Sequence, residues 1–145
     1  MKIEAILFLA GGLSVLPAVE LTPNEHSAAC WDMRIIKNGK IPDGSGYGNE
    51  MFLGSKEKAP LPKFVPEGLA FDGQGGYAFV KAKDSLRIKG DFTIEIIFKF
   101  SDSGPKATVV SLIGNKAASD KTSGFSLRYT TWQGKNLCFD YALNG

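Results

Sequence analysis

The sequence is poor in the residues that most catalytic chemistry needs. It has one histidine, His26, and two cysteines, Cys30 and Cys138, in 145 residues. His26 stands ahead of the first apolar alternation, with no serine or cysteine beside it in a nucleophile–base motif. The cysteines have neither a neighbouring histidine nor zinc-ligand spacing. The glycine run Gly73-Gln74-Gly75-Gly76 does not open a helix, so it is no phosphate loop. A formal net charge of +2 gives little attraction for nucleic acid or an anionic membrane. Long hydrophobic runs are lacking too, and the most apolar stretch, residues 5–16, is short for a bilayer span. Helical periodicity is scarce. The 17 glycines exceed the usual share of about 7% and cluster between apolar runs, as short strands joined by turns require.

What is present is alternation. Residues 91–100, DFTIEIIFKF, put Phe92, Ile94, Ile96, Phe98 and Phe100 on one side and Asp91, Thr93, Glu95, Ile97 and Lys99 on the other. Ten alternating residues rich in β-branched and aromatic types predict a half-buried strand, with one face covered by a second layer. With almost no helix to supply that cover, the expectation is two antiparallel sheets, with this strand as their middle rib. Around it the chain reads as follows. Residues 29–33 form a first strand, 37–49 a loop rich in turn formers, and 51–53 an edge strand. Residues 56–66, with three prolines, form a covering loop. Residues 69–71 and 77–80 form a hairpin over Asp72-Gly73-Gln74-Gly75-Gly76. After the turn at Gly104-Pro105 come an apolar strand over 108–113 and a polar loop over 114–124. Alternating strands over 125–132 and 137–143 are joined at Gln133-Gly134-Lys135. Asn144-Gly145 is a hairpin turn pair after a strand and announces a return strand.

Residues 1–18, MKIEAILFLAGGLSVLPA, carry one lysine, an apolar run, then Pro17-Ala18. That pattern predicts a secretory signal peptide, with a buried N-terminal strand or a lipid-facing anchor as the alternative, then a polar leader over 19–27 and a single domain over 28–145. Removing the segment takes away Lys2 and Glu4 together and leaves the charge unchanged. An exported chain with two cysteines is compatible with a Cys30–Cys138 disulfide, with two thiols as the alternative.

Four stretches occur in a recognisable order: Trp31-Asp32-Met33 followed by Asp43-Gly44-Ser45-Gly46-Tyr47-Gly48-Asn49; Gly68-Leu69-Ala70-Phe71-Asp72-Gly73 with Gly76-Tyr77-Ala78-Phe79-Val80; Ser85-Leu86 with Gly90-Asp91-Phe92-Thr93-Ile94-Glu95-Ile96-Ile97-Phe98-Lys99; and Gly124-Phe125-Ser126-Leu127 with Leu137-Cys138-Phe139. Together they resemble the laminin-G-like, concanavalin-A-like lectin/glucanase modules of exported bacterial proteins. The resemblance implies an all-β antiparallel β-sandwich, a jelly roll, here incomplete at its C-terminal side. It also implies a structural calcium, for which Asp43 and Asp72 would be ligands, the alternative being that both cap turns through the backbone; the acidic residue that similar modules carry near their end is lacking. Ile96-Ile97-Phe98 departs from the tryptophan or alanine usual in the family.

The sandwich hosts lectins, adhesion modules and glycoside hydrolases alike. Glycoside hydrolysis needs paired carboxylates, and Thr93 stands between Asp91 and Glu95 where a third acidic residue would be expected. The expected function is therefore non-catalytic binding of a glycan or an extracellular protein by a secreted module, with no nucleic acid and no stable membrane insertion. The alternatives are an accessory module of a glycoside hydrolase or sialidase, or a structural spacer. Trp132 and Arg128 share a side of the 125–132 strand opposite its apolar residues, which makes them the candidate ligand-binding pair.

Overall fold

The computed structural model describes residues 2–6, 21–87, 90–99, 109–114, 124–130 and 136–142. Several expectations lie outside them: the apolar run beyond residue 6, Phe100, the Gly104-Pro105 turn, nearly all of the polar loop after 114, Trp132, the Gln133-Gly134-Lys135 turn and the Asn144-Gly145 pair.

Among the described residues the structure is all-β apart from one 3-10 turn at Asp84–Leu86. It divides into two compact units, Met1–Asp102 and Ser103–Gly145. The first holds β1 (Lys2–Ile6), β2 (Ser27–Asp32), β3 (Lys40–Ile41), β4 (Met51–Ser55), β5 (Lys63–Val65), β6 (Gly68–Ala70), β7 (Gly76–Val80) and β8 (Thr93–Ile97). The second holds β9 (Val109–Gly114), β10 (Gly124–Thr130) and β11 (Asn136–Ala142).

Three of the four sheets are antiparallel and open, with orders β3-β4-β7, β5-β6 and β11-β10-β9. The fourth, β2-β1-β8, is parallel at both pairings, so uniform antiparallel pairing is corrected here. Its first strand lies within the segment read as a signal peptide, and places Lys2–Ile6 between β2 and β8.

The core of the first unit is built on β2. Ser27 to Trp31 are all buried, so both sides of the strand are covered and not one alone. Ser27, Ala28, Ala29 and Cys30 are all small, so little side-chain volume has to be accommodated on either side of the strand. Asn24, in the polar segment, is bonded to the first residue of β2. Asn24 O accepts from Ser27 N at 2.9 Å and Ser27 Oγ accepts from Asn24 N at 2.9 Å. By contrast β8, expected as the middle rib, is the edge of its sheet. Thr93 is exposed and the other four residues are half-buried on both faces. Its alternation reports amphipathic chemistry, but an edge position covers neither face fully.

Three further pairings differ from expectation. β4 is the middle strand of its sheet, not an edge. β7 pairs with β4, and β6 with β5, so the expected β6–β7 hairpin does not form. β5 itself lies in the proline-rich stretch read as a covering loop. The register explains the choice: Ile41, Met51 and Val80 stand in one row across β3-β4-β7, and Ile41 and Met51 are buried. A β6–β7 pairing would break that row. Asn38-Gly39 closes β3 by a two-residue turn, with φ of 52° and 74° and reciprocal backbone bonds between Lys37 and Lys40 of 2.8 and 3.0 Å. Both central residues with positive φ are what a hairpin of this hand demands.

In the second unit β9, β10 and β11, the three strands expected there, form an antiparallel meander. Phe125 and Ser126 are buried, whereas Leu137 and Phe139 on β11 are exposed.

Candidate functional site

Two regions of the first unit carry the side chains that sequence reasoning singled out or missed. One is the loop between β3 and β4. The other is the outer face of the β3-β4-β7 sheet.

The loop is organised by Asp43 and Asn49. Asp43 Oδ1 accepts from the backbone N–H groups of Cys30 at 3.0 Å and Ser45 at 2.9 Å. Its Oδ2 accepts from Ser45 Oγ at 2.7 Å and Asn49 N at 2.9 Å. Glycines at 44, 46 and 48 allow the chain to curl tightly around this carboxylate. Burial works to raise the Asp43 pKa, but the three backbone N–H bonds and the Ser45 hydroxyl outweigh it and hold the group below its ordinary value. Asn49 is fully buried and uses every polar group it has. Besides the bond from its N–H, its carbonyl accepts from Trp31 Nε1 at 2.6 Å, its Nδ2 donates to Ala28 O at 2.7 Å and its Oδ1 accepts from Ser85 Oγ at 2.9 Å. The network therefore ties the loop and the 3-10 turn to β2. Lys83 Nζ adds a bond to Gly48 O.

This donor set does not fit a calcium ion. Calcium takes six to eight oxygens, and the oxygens of Asp43 are occupied by four positive hydrogen ends. Asp72 is exposed, and its Oδ1 accepts from Gln74 N at 2.9 Å, a local turn. Among the described residues no group of three or more histidine, cysteine or acidic side chains could hold a metal.

The other sequence-derived site residues fall in both units. Cys30 is buried on β2, where its thiol donates to Leu21 O at 3.6 Å, and Cys138 is half-buried on β11 in the second unit; both stand as thiols. Arg128 is half-buried on β10, level with Cys138 and Ser111, and is engaged by a partner. Its neighbour on the expected polar side, Ser126, is buried, so that side is not a solvent face along its whole length. Trp132 lies outside the described residues.

What the sequence reading missed is the outer face of β3-β4-β7. Cross-strand partners share a face, so Lys40, Phe52 and Phe79 form one row and Gly54 and Tyr77 the next. The exposures follow: along β7, Gly76, Ala78 and Val80 are half-buried while Tyr77 and Phe79 are exposed. Phe52 and Phe79 stack with centroids 5.6 Å apart, and Tyr77 stands 5.8 Å from Phe79. Lys40 and Lys81 place their ammonium groups 5.1 and 5.2 Å from the Phe52 centroid, within cation–π reach. Gly54 makes room for the Tyr77 ring, since a Cβ there would meet its Cε2 at 2.6 Å. The half-buried aliphatic residues of these strands face inward and three aromatic rings face outward, the reverse of an ordinary two-faced sheet.

Comparison with protein-family models, with curated proteins and with solved structures returned no match to this chain.

Proposed function

We propose that this chain is a non-catalytic carbohydrate-binding module of an exported protein, built as a β-sandwich of the laminin-G-like type. The observation that carries the reading is the outward aromatic face of Phe52, Tyr77 and Phe79. A sugar ring has an apolar C–H face and a polar rim, so it is matched by exposed aromatic rings with hydrogen-bonding groups beside them. Exposed apolar patches of this kind mark interaction surfaces. The buried loop network supports the reading indirectly: the carboxylate and amide of Asp43 and Asn49 are committed to holding the loop, so the ligand-facing chemistry falls to the aromatic face.

A glycan array probed with the purified chain tests this. Binding that is lost in Phe79→Ser and retained in Asp72→Ala supports it. No binding across diverse glycans overturns it in favour of a spacer. Export is tested separately by N-terminal sequencing of the chain recovered outside the cytoplasm. A start at Val19 supports the leader, and a start at Met1 keeps β1 and overturns the cut.

A further inference from the structure

The outer face of β3-β4-β7 is uneven along its length. Tyr77 and Phe79 expose 42% and 40% of their surface. Their planes are inclined by 52°, so they form no flat shelf. The flat surface of a crystalline polysaccharide cannot lie against both rings. A single soluble chain, turning between successive sugars, can.

Beside Phe79, in the same row, two lysines approach Phe52. Lys40 is already paired with Glu50, Nζ to Oε2 at 2.7 Å. Lys81 has the Phe52 ring as its neighbour and no carboxylate among the described residues. Lys81 directly follows β7, and its ammonium lies over the ring of Phe52, which belongs to this face. A neutral sugar on the rings would leave it to water. An acidic sugar would pair it, beside an apolar surface where a charge-assisted hydrogen bond is stronger than in open solvent.

Resting on the glycan reading of this face, we infer that the ligand is a single chain of an acidic polysaccharide, a polyuronate, with sugar rings on Tyr77 and Phe79 and a carboxylate on Lys81. The carboxylate of a uronic acid is bonded directly to a ring carbon and stays at the edge of the stacked sugar. That matches a cation held close to the Phe52 ring better than a sulfate ester, whose charge stands off on a bridging oxygen.

The test compares binding of the chain to polygalacturonate, to a neutral galactan and to a sulfated galactan, at low and high salt. Polygalacturonate is expected to bind about threefold or more tighter than the neutral polymer, the scale of one exposed ion pair, with the preference shrinking as salt rises. Lys81→Gln, an exposed change that leaves the fold intact, is expected to abolish the preference and keep the residual binding, while Phe79→Ser loses both. Equal binding of neutral and acidic polymers, lost in Phe79→Ser, overturns this inference and leaves the glycan reading standing. A sulfate preference, or a uronate preference unchanged by Lys81→Gln, also overturns it. Absence of binding to all three overturns it, and a blank array then removes the broader reading as well.

Discussion

The loop around Asp43 and the aromatic face around Phe79 lie in one unit and invert the usual distribution of side chains. In the loop, a carboxylate and an amide are drawn inward and their polar atoms are spent on neighbours. On the face, aromatic rings point outward, touching one another and two lysines. Polar groups are tolerated inside because each one finds a partner, and leaving one unpaired would cost more than its bond contributes. Rings on an exposed face find only part of the contact they could make. The difference separates residues that hold the fold from residues available to a ligand, and it does so without reference to residue type.

The sharpest way to break this comparison is Asp43→Ala. It strands the N–H groups of Cys30, Ser45 and Asn49, and is expected to cost about 2–4 kcal/mol, given roughly 1–3 kcal/mol for each buried donor left unpaired and some rescue by water. Urea unfolding measures it, and a loss near zero would remove the loop's structural role.

Acid is next. The Asp43 pKa is held down in the folded chain, as is that of Asp32, chiefly by its bidentate bonds to the Arg34 guanidinium at 2.8 and 2.7 Å. A depressed folded pKa contributes stability that is present above the unfolded value near 3.8 and lost as pH falls through the folded value. Melting temperature is therefore expected to be insensitive to these two groups between about pH 5 and pH 7 and to fall below about pH 4. Asp43→Asn should flatten that fall, and an unchanged acid limb in the variant would contradict the assignment.

Trp31→Phe keeps the buried ring but removes the donor to Asn49 O. The expected cost is about 1–2 kcal/mol by the same unfolding measurement. On the aromatic face, Phe79→Ser removes contacts to Phe52 and Tyr77 worth about 1 kcal/mol, while glycan retention on an affinity gel is expected to disappear. A variant that loses stability without losing retention would place the face with the loop, as structure. Smallest of all, Asp72→Ala breaks one exposed turn bond and should leave the urea midpoint unmoved, in contrast to Asp43, although both were read as the same kind of ligand.

Much of the element content was legible beforehand. The three strands of β9-β10-β11 follow from the apolar run over 108–113 and the alternations over 125–132 and 137–143, whereas β3 lies inside residues 37–49, where crowded turn formers read as a loop. The aromatic face was legible only in part. Tyr77-Ala78-Phe79-Val80 plainly sorts two rings to one side and two aliphatic groups to the other. Pattern alone sends the bulkier pair inside, because aromatic rings bury the most surface. Asp43 and Asp72 look alike in sequence, each followed by glycine, yet one anchors a buried network and the other turns an exposed corner.

Local pattern is enough to make the chain β-structure, because alternation and glycine spacing act over a few residues and depend on no distant partner. Which strands pair, which face of β7 meets the core, and that β2 and not β8 carries the buried rows were decided by tertiary structure alone. Those outcomes depend on rows of side chains such as Ile41, Met51 and Val80, drawn from segments far apart in the chain, fitting together, and no local pattern records that fit.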